Sequence, residues 1–191
     1  YPEGKIFDGY KAMGIQREEY SEIEVIRIPL RQRGKNSGKG MALNYLSFIV
    51  SGYLFAPYAL RGQKFDAIFV YAPSPLLQAL PAVYVSWLKR APLVLWVQDI
   101  WPDALVATGF IKSRWILGIV GLAVRYIYRF SNSILIQSEG FRASVERWTR
   151  KHERIRYFPN SAEDTYPELK RPIANIQLAE EVAASFSVVF A

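Results

Sequence analysis

The sequence predicts an α/β protein, a doubly wound parallel sheet with helices on both faces. Three observations predict it. Short apolar runs of strand length recur along the chain, as at Ala67–Val70 and Leu93–Val97. Stretches of helical length with broad apolar faces fall between them. Proline and small polar residues punctuate the joints, and no internal repeat is present. Fully apolar short strands alternating with helices are the mark of a parallel sheet buried on both sides.

The elements follow in order. Residues 23–29 alternate apolar with polar or charged side chains and read as a strand. Residues 31–40 form a polar, glycine-rich loop carrying Arg31, Arg33, Lys35 and Lys39. Met41–Leu60 contains no charge, is too long for a strand and reads as a helix. Its length is near the ~20 residues that span a bilayer. Asn44, Ser47, Ser51, Gly52 and Pro57 argue instead for a helix lying on a membrane surface, with Arg31, Arg33, Lys35 and Lys39 before it and Arg61 and Lys64 after it. Burial against the sheet is the equal alternative. Asp66–Tyr71 is a buried strand, Leu76–Lys89 a helix, Leu93–Val97 a strand and Arg114–Phe130 a helix. Ser133–Gln137 is a strand, Glu139–Lys151 a helix and Ile155–Phe158 a strand. Ile173–Ala184 reads as a helix before a last apolar run.

Composition narrows the chemistry. The chain has 191 residues, enough for one domain or one domain and a piece of another. There is no cysteine, which excludes disulfides and thiolate metal sites and points to a reducing compartment. The single histidine, His152, sits in a charged stretch, reads as exposed and without a role, and argues against a His-rich metal site or a His-based triad. The net charge is +7, and between Glu24 and Glu139 the only acids are Asp66, Asp99 and Asp103. Such a chain seeks an anionic partner. Five Trp and twelve Tyr beside basic residues suit a membrane surface at least as well as nucleic acid. No dinucleotide-binding glycine motif, P-loop or nucleophile elbow occurs. The first residues are turn-rich and the last are apolar and strand-like, so the chain reads as an internal piece of a longer protein.

In a parallel α/β sheet, ligands bind beyond the carboxyl ends of the strands. That rule selects Tyr71–Ser74, Gln98–Asp103, Ser138–Phe141 and Pro159–Asn160. Asp99 follows a buried strand directly, where a carboxylate can engage an attacking hydroxyl or can brace its own loop as a helix cap. Asp103 fits a capping role for the next helix. Ser138 and Glu139 at a helix start can hold a phosphate or sugar hydroxyl, or simply cap. Asn160 after Pro159 reads most simply as a turn residue.

Six segments in order carry a resemblance: Tyr1–Tyr10, Val25–Pro29, Val70–Pro75, Gln98–Asp103, Gln137–Phe141 and Phe158–Asn160. Together the chain resembles the N-terminal half of a bacterial glycosyltransferase of family 4, in the WbuB-like branch that builds O-antigen, capsule or colanic acid. The resemblance implies a GT-B fold, two Rossmann-like domains facing across a cleft. Residues 1–170 would be the acceptor-binding domain, lacking its first strand, and 171–191 a linker and the first strand of the donor-binding domain. It implies retaining transfer from a nucleotide-sugar, UDP-linked or similar, with no metal or other cofactor and no nucleic acid. The implied acceptor is a saccharide on a polyprenyl diphosphate at the inner face of the cytoplasmic membrane, where the protein would sit peripherally on the anionic surface. Gln98-Asp99 falls where many members have His-Asp, so Asp99 is the candidate catalytic residue, in the role of positioning the acceptor hydroxyl. Lys5, Tyr10, Gln98 and Trp101 become candidate acceptor contacts, and Ser138, Glu139 and Asn160 the donor side of the cleft. By this reading the piece alone is inactive. A basic, non-catalytic module for anionic lipid or nucleic acid, and a nucleotide-sugar epimerase, are the competing readings.

Overall fold

Leu93, Leu95 and Val97 are completely buried, and so are Ile134 and Ile136 in the neighbouring apolar run. These residues make the centre of a four-stranded parallel sheet. The computed structural model describes residues 6, 8–33, 38–109, 111 and 113–161. The sheet holds β3 (Ile68–Ala72), β4 (Leu93–Val97), β5 (Ser133–Ile136) and β6 (Ile155–Tyr157), in the order β3-β4-β5-β6. A separate antiparallel hairpin, β1 (Gln16–Tyr20) and β2 (Ile23–Arg27), precedes it.

Parallel neighbours need a return path, and helices supply it. A 3₁₀ turn at Leu76–Ala79 runs into α2 (Leu80–Lys89), which links β3 to β4. The short α3 (Asp103–Ala107) and the long α4 (Arg114–Phe130) link β4 to β5. A 3₁₀ turn at Glu139–Phe141 and α5 (Arg142–Glu146) lead on to a second such turn at His152–Arg154 and then β6. Val120, Val124, Ile127 and Tyr128 of α4 are buried in one cluster with Leu95, Val97, Ile134, Ile136 and Trp101. Tyr128 is enclosed enough that burial, with the Asp103 carboxylate adding to it, pushes its hydroxyl far above the usual value. Asn132 aligns β5 on β4: its N–H donates to the Leu93 carbonyl at 2.8 Å, and its side-chain oxygen accepts the Leu93 N–H at 2.9 Å.

Helix α1 (Gly38–Ala59) lies against α2. Gly52 makes this possible, because a Cβ there would fall 2.5 Å from the Pro81 ring. At the other end of α2, Lys89 Nζ donates to the carbonyls of Leu60 and Gln63 just past the end of α1.

The sheet and its helices have the predicted class and order. Helix α1 starts at Gly38, inside the segment read as a basic loop, and four further details differ. Strand β1 escapes the sequence reading because its face is solvent, so it shows no apolar alternation. It is held by a two-residue turn with Ser21 and Glu22 at positive φ and by Arg17–Glu24 and Arg27–Glu18 ion pairs. The helix predicted over Glu139–Lys151 is broken up, with α5 ending at Glu146 and the Thr149 hydroxyl accepting the Lys151 N–H at 3.2 Å to turn the chain. Asp103 is the first residue of α3 rather than its cap, and its carboxylate pairs with Arg147. Burial of the strands on both faces is incomplete, since Phe69 and Tyr71 on edge strand β3 are about half exposed. The chain divides into two compact units, Tyr1–Pro159 and Asn160–Ala191. The helix and strand expected over 171–191 lie outside the described residues.

The α1–α2 contact is testable. Gly52→Ala should lower stability by roughly 1–3 kcal/mol through overpacking against a rigid ring. Gly118→Ala, where a Cβ meets nothing within 4 Å, should be neutral or raise stability by up to about 1 kcal/mol through helix propensity. Thermal melts of the two variants read the difference.

Candidate active site

Register decides which residues meet. Ala72 pairs with Val97, Val97 with Ile136, and Ile136 with Tyr157. The next residues, Pro73, Gln98, Gln137 and Phe158, therefore stand in a row along the carboxyl edge. Hydrogen bonds stitch the row together. The Gln98 N–H donates to the Ala72 carbonyl at 3.2 Å, and the Gln137 side-chain amide donates to the Gln98 carbonyl at 2.9 Å. The Phe158 N–H donates to the Ile136 carbonyl at 2.9 Å. Gln98 is thus anchored on both sides, and Asp99 projects from a fixed backbone.

The Asp99 side chain is fixed as well. Trp101 is 5% exposed and part of the core cluster, and its indole N–H turns back to donate to Asp99 Oδ2 at 3.1 Å. A carboxylate has about four acceptor positions, so one N–H orients it and leaves room for a hydroxyl. The loop is closed behind it by the Ala104 N–H on the Ile100 carbonyl, 2.8 Å. The Gln98 side-chain nitrogen is buried and meets no partner among the described residues. Such a group is costly to leave unmade.

The other candidates are placed as follows. Ser138 acts as a cap, its hydroxyl accepting the Gly140 N–H at 3.2 Å. Glu139 is exposed and makes a two-pronged pair with Arg142 at 2.7 and 2.9 Å, and that hydrogen bond holds its carboxyl below the usual range. Tyr10 lies apart, with the Arg27 guanidinium 4.9 Å over its ring and a hollow of about 490 Å³ between the hairpin and α1 beside it. Asn160 is exposed and opens the second unit. Lys5 and Lys35 lie outside the described residues. Arg31, Arg33, Lys39, Arg61 and Lys64 are all exposed, in the segments flanking α1 or its first turn. Arg33 lies 5.7 Å from the Tyr45 ring.

Sequence reasoning gave no role to Gln137 or to the aromatic group around Trp96. The Trp96 ring is 5.3 Å from Tyr71 and 5.1 Å from Phe158, and its N–H donates to the Phe158 carbonyl at 2.9 Å. The available signal was the alternation of Phe69, Tyr71 and Trp96 with the buried residues of the same strands. Cavity size does not mark this edge: a hollow of about 700 Å³ between Trp87, Arg90 and Asn132 lies at the amino ends of the strands instead.

A family model for the glycosyl transferase 4-like domain matches residues 8–161. The chain belongs to the glycosyl transferase 4-like family. No curated protein matches it. Membership fits the architecture, since a parallel sheet flanked by helices is the Rossmann-like form of a GT-B glycosyltransferase domain. It also makes the carboxyl edge, with Gln98, Asp99 and Trp101 tied together, the candidate site of a glycosyltransferase.

Reading stability and activity of one variant together separates packing from positioning. Trp101→Phe keeps most of the ring and should cost on the order of 1–2 kcal/mol of stability. Its transferase activity should fall by more than the loss of folded protein explains. Denaturant melts and kinetics on the folded fraction test this.

Proposed function

We propose that this chain is the acceptor-binding part of a retaining glycosyltransferase. The enzyme moves a sugar from a nucleotide-sugar, UDP-linked, to a saccharide carried on a polyprenyl diphosphate. The product is a step in a bacterial surface polysaccharide such as O-antigen, capsule or exopolysaccharide. The observation that carries the reading is the oriented Asp99 carboxylate at the carboxyl edge of a glycosyl transferase 4-like domain.

In this reading Asp99 accepts a hydrogen bond from the acceptor hydroxyl and aims its oxygen at the anomeric carbon. The new bond joins that oxygen to the anomeric carbon, and the bond from that carbon to the diphosphate oxygen breaks. As the new bond forms, the hydroxyl proton leaves its hydrogen bond to Asp99 and passes to the departing diphosphate; attack and departure share one face, so configuration is retained and Asp99 stays ionised throughout. Its contribution is alignment. The buried Gln98 amide offers a second donor for a sugar or phosphate oxygen. Tyr10 and Lys5 are assigned to the acceptor diphosphate, and Ser138, Glu139 and Asn160 to the donor side. No metal is assigned.

A lipid-linked acceptor draws the enzyme to the inner face of the cytoplasmic membrane. No helix among the described residues is long and apolar enough to cross a membrane. The contact proposed is peripheral, aided by Arg31, Arg33, Lys35, Lys39, Arg61 and Lys64.

The test is a transfer assay on the full-length protein with UDP-sugars and a polyprenyl-diphosphate saccharide. Asp99→Ala should lose transfer by about 10²-fold or more, the scale of one positioned catalytic group. Donor affinity should stay within about twofold, because Asp99 is assigned to the acceptor side. Full activity in this variant removes Asp99 from the site.

A further inference from the structure

Four cations without an anionic partner meet in one cleft. It encloses about 670 Å³ between the second half of α4 and the segment that leads into β6. Arg125 and Arg129 enter from α4, four residues apart and so on one side of the helix. Arg150 and Lys151 enter from the segment before β6. None of the four forms an ion pair among the described residues. Arg147, also in the wall, is taken by Asp103. His152 lies beside them, with a ring nitrogen 3.1 Å from the Thr149 carbonyl oxygen. The single acid in the wall is Glu146.

Packing shapes the cleft. Gly121 of α4 admits the Trp148 ring, since a Cβ there would fall 2.7 Å from it. That ring is part of the wall, and the Arg125 guanidinium stands 5.9 Å from its centre. Thr149 is buried, and its hydroxyl bond to the Lys151 N–H turns the chain where Arg150 and Lys151 border the hollow.

The cleft is remote from Asp99. Helix α4 ends at Phe130, before β5 begins at Ser133, and residues 147–152 precede β6. The cleft therefore lies where these strands start, whereas Asp99 follows the end of β4. At about 3.3 Å per residue, strands this short still put on the order of 10 Å or more between the two edges.

Charge and shape select the ligand. Like charges gathered in a concave site draw a counter-ion. One carboxylate would leave most of the four cations unneutralised. Guanidinium forks match the oxygen pairs of phosphate groups, and a diphosphate brings two such groups together. The volume suits a small molecule. A bilayer or a nucleic acid would need its cations spread along an open surface, and here they converge on one hollow.

We propose that this cleft is an anion site at the amino edge of the sheet, for a soluble ligand that carries a diphosphate: inorganic pyrophosphate or a nucleoside diphosphate. Bound there, the ligand ties α4 to the segment before β6.

Equilibrium dialysis of the full-length protein against labelled pyrophosphate counts the sites and reads their strength. Arg129→Gln with Arg150→Gln changes two exposed side chains. It should weaken one site by about a hundredfold, roughly tenfold for each lost charged hydrogen bond, and leave any site on the donor side unchanged. Pyrophosphate should also raise the melting temperature of the unmutated protein more than that of the variant. In the unmutated protein, bound pyrophosphate should shield Arg129 and Arg150 from phenylglyoxal while Arg61 reacts at its usual rate; this readout needs no variant to fold. Unchanged dialysis in the variant, or no shielding of either arginine, overturns the proposal. Citrate bound as tightly as pyrophosphate overturns the phosphate assignment. Displacement of pyrophosphate by phosphatidylglycerol vesicles makes a lipid headgroup the occupant and overturns the soluble ligand. Sugar transfer plays no part in these readouts, so this proposal and the transfer reading stand or fall separately.

Discussion

Parallel pairing governs this structure. A parallel strand cannot follow its neighbour through a tight turn, so the chain must cross back over the sheet after each one. That necessity puts α2 and α4 where they are, and the core forms between them and the strands. It also sends every strand–helix joint to the same edge. Asn132 sets the starting level of β5 against β4 by bonding both polar groups of the Leu93 backbone. From that level the register carries Ala72, Val97, Ile136 and Tyr157 to a common line. The candidate site is the continuation of that line by one and two residues.

The helix layer answers to two demands at once. Its inner side fills the space above the sheet, and glycine marks where helices must come closest, as at Gly52 against Pro81. Its outer side keeps large apolar side chains that the core does not need. A helix that only covered a sheet could carry lysine and glutamate outward at no cost to packing. That α4 instead carries Trp115, Ile119, Leu122 and Tyr126 outward calls for a use outside the core.

Most of the architecture was legible in the sequence because burial writes itself into apolar runs. Leu93–Val97 and Arg114–Phe130 begin and end where the pattern does. What escaped is whatever burial does not write. Strand β1 is held by turn geometry and ion pairs on a solvated surface. Gln137 looks like any polar residue after a strand until the register brings its amide to the Gln98 carbonyl. Asp99 was visible by position, yet nothing in the spacing of residues 99 and 101 reveals that the buried indole reaches back to it. His152 was read correctly as exposed, but the cleft around it depends on Arg125 and Arg129, more than twenty residues away in sequence.

The bond from Trp101 to Asp99 has a consequence for how this protein can change. One residue both plugs the core and presents an N–H to the acid. Among the standard side chains, only tryptophan joins so large an apolar surface to a ring N–H donor that carries no charge and does not titrate. Directed evolution at position 101 thus has no neighbouring solution that keeps both duties. A library selected for heat tolerance and a library selected for turnover should converge there on the residue already present.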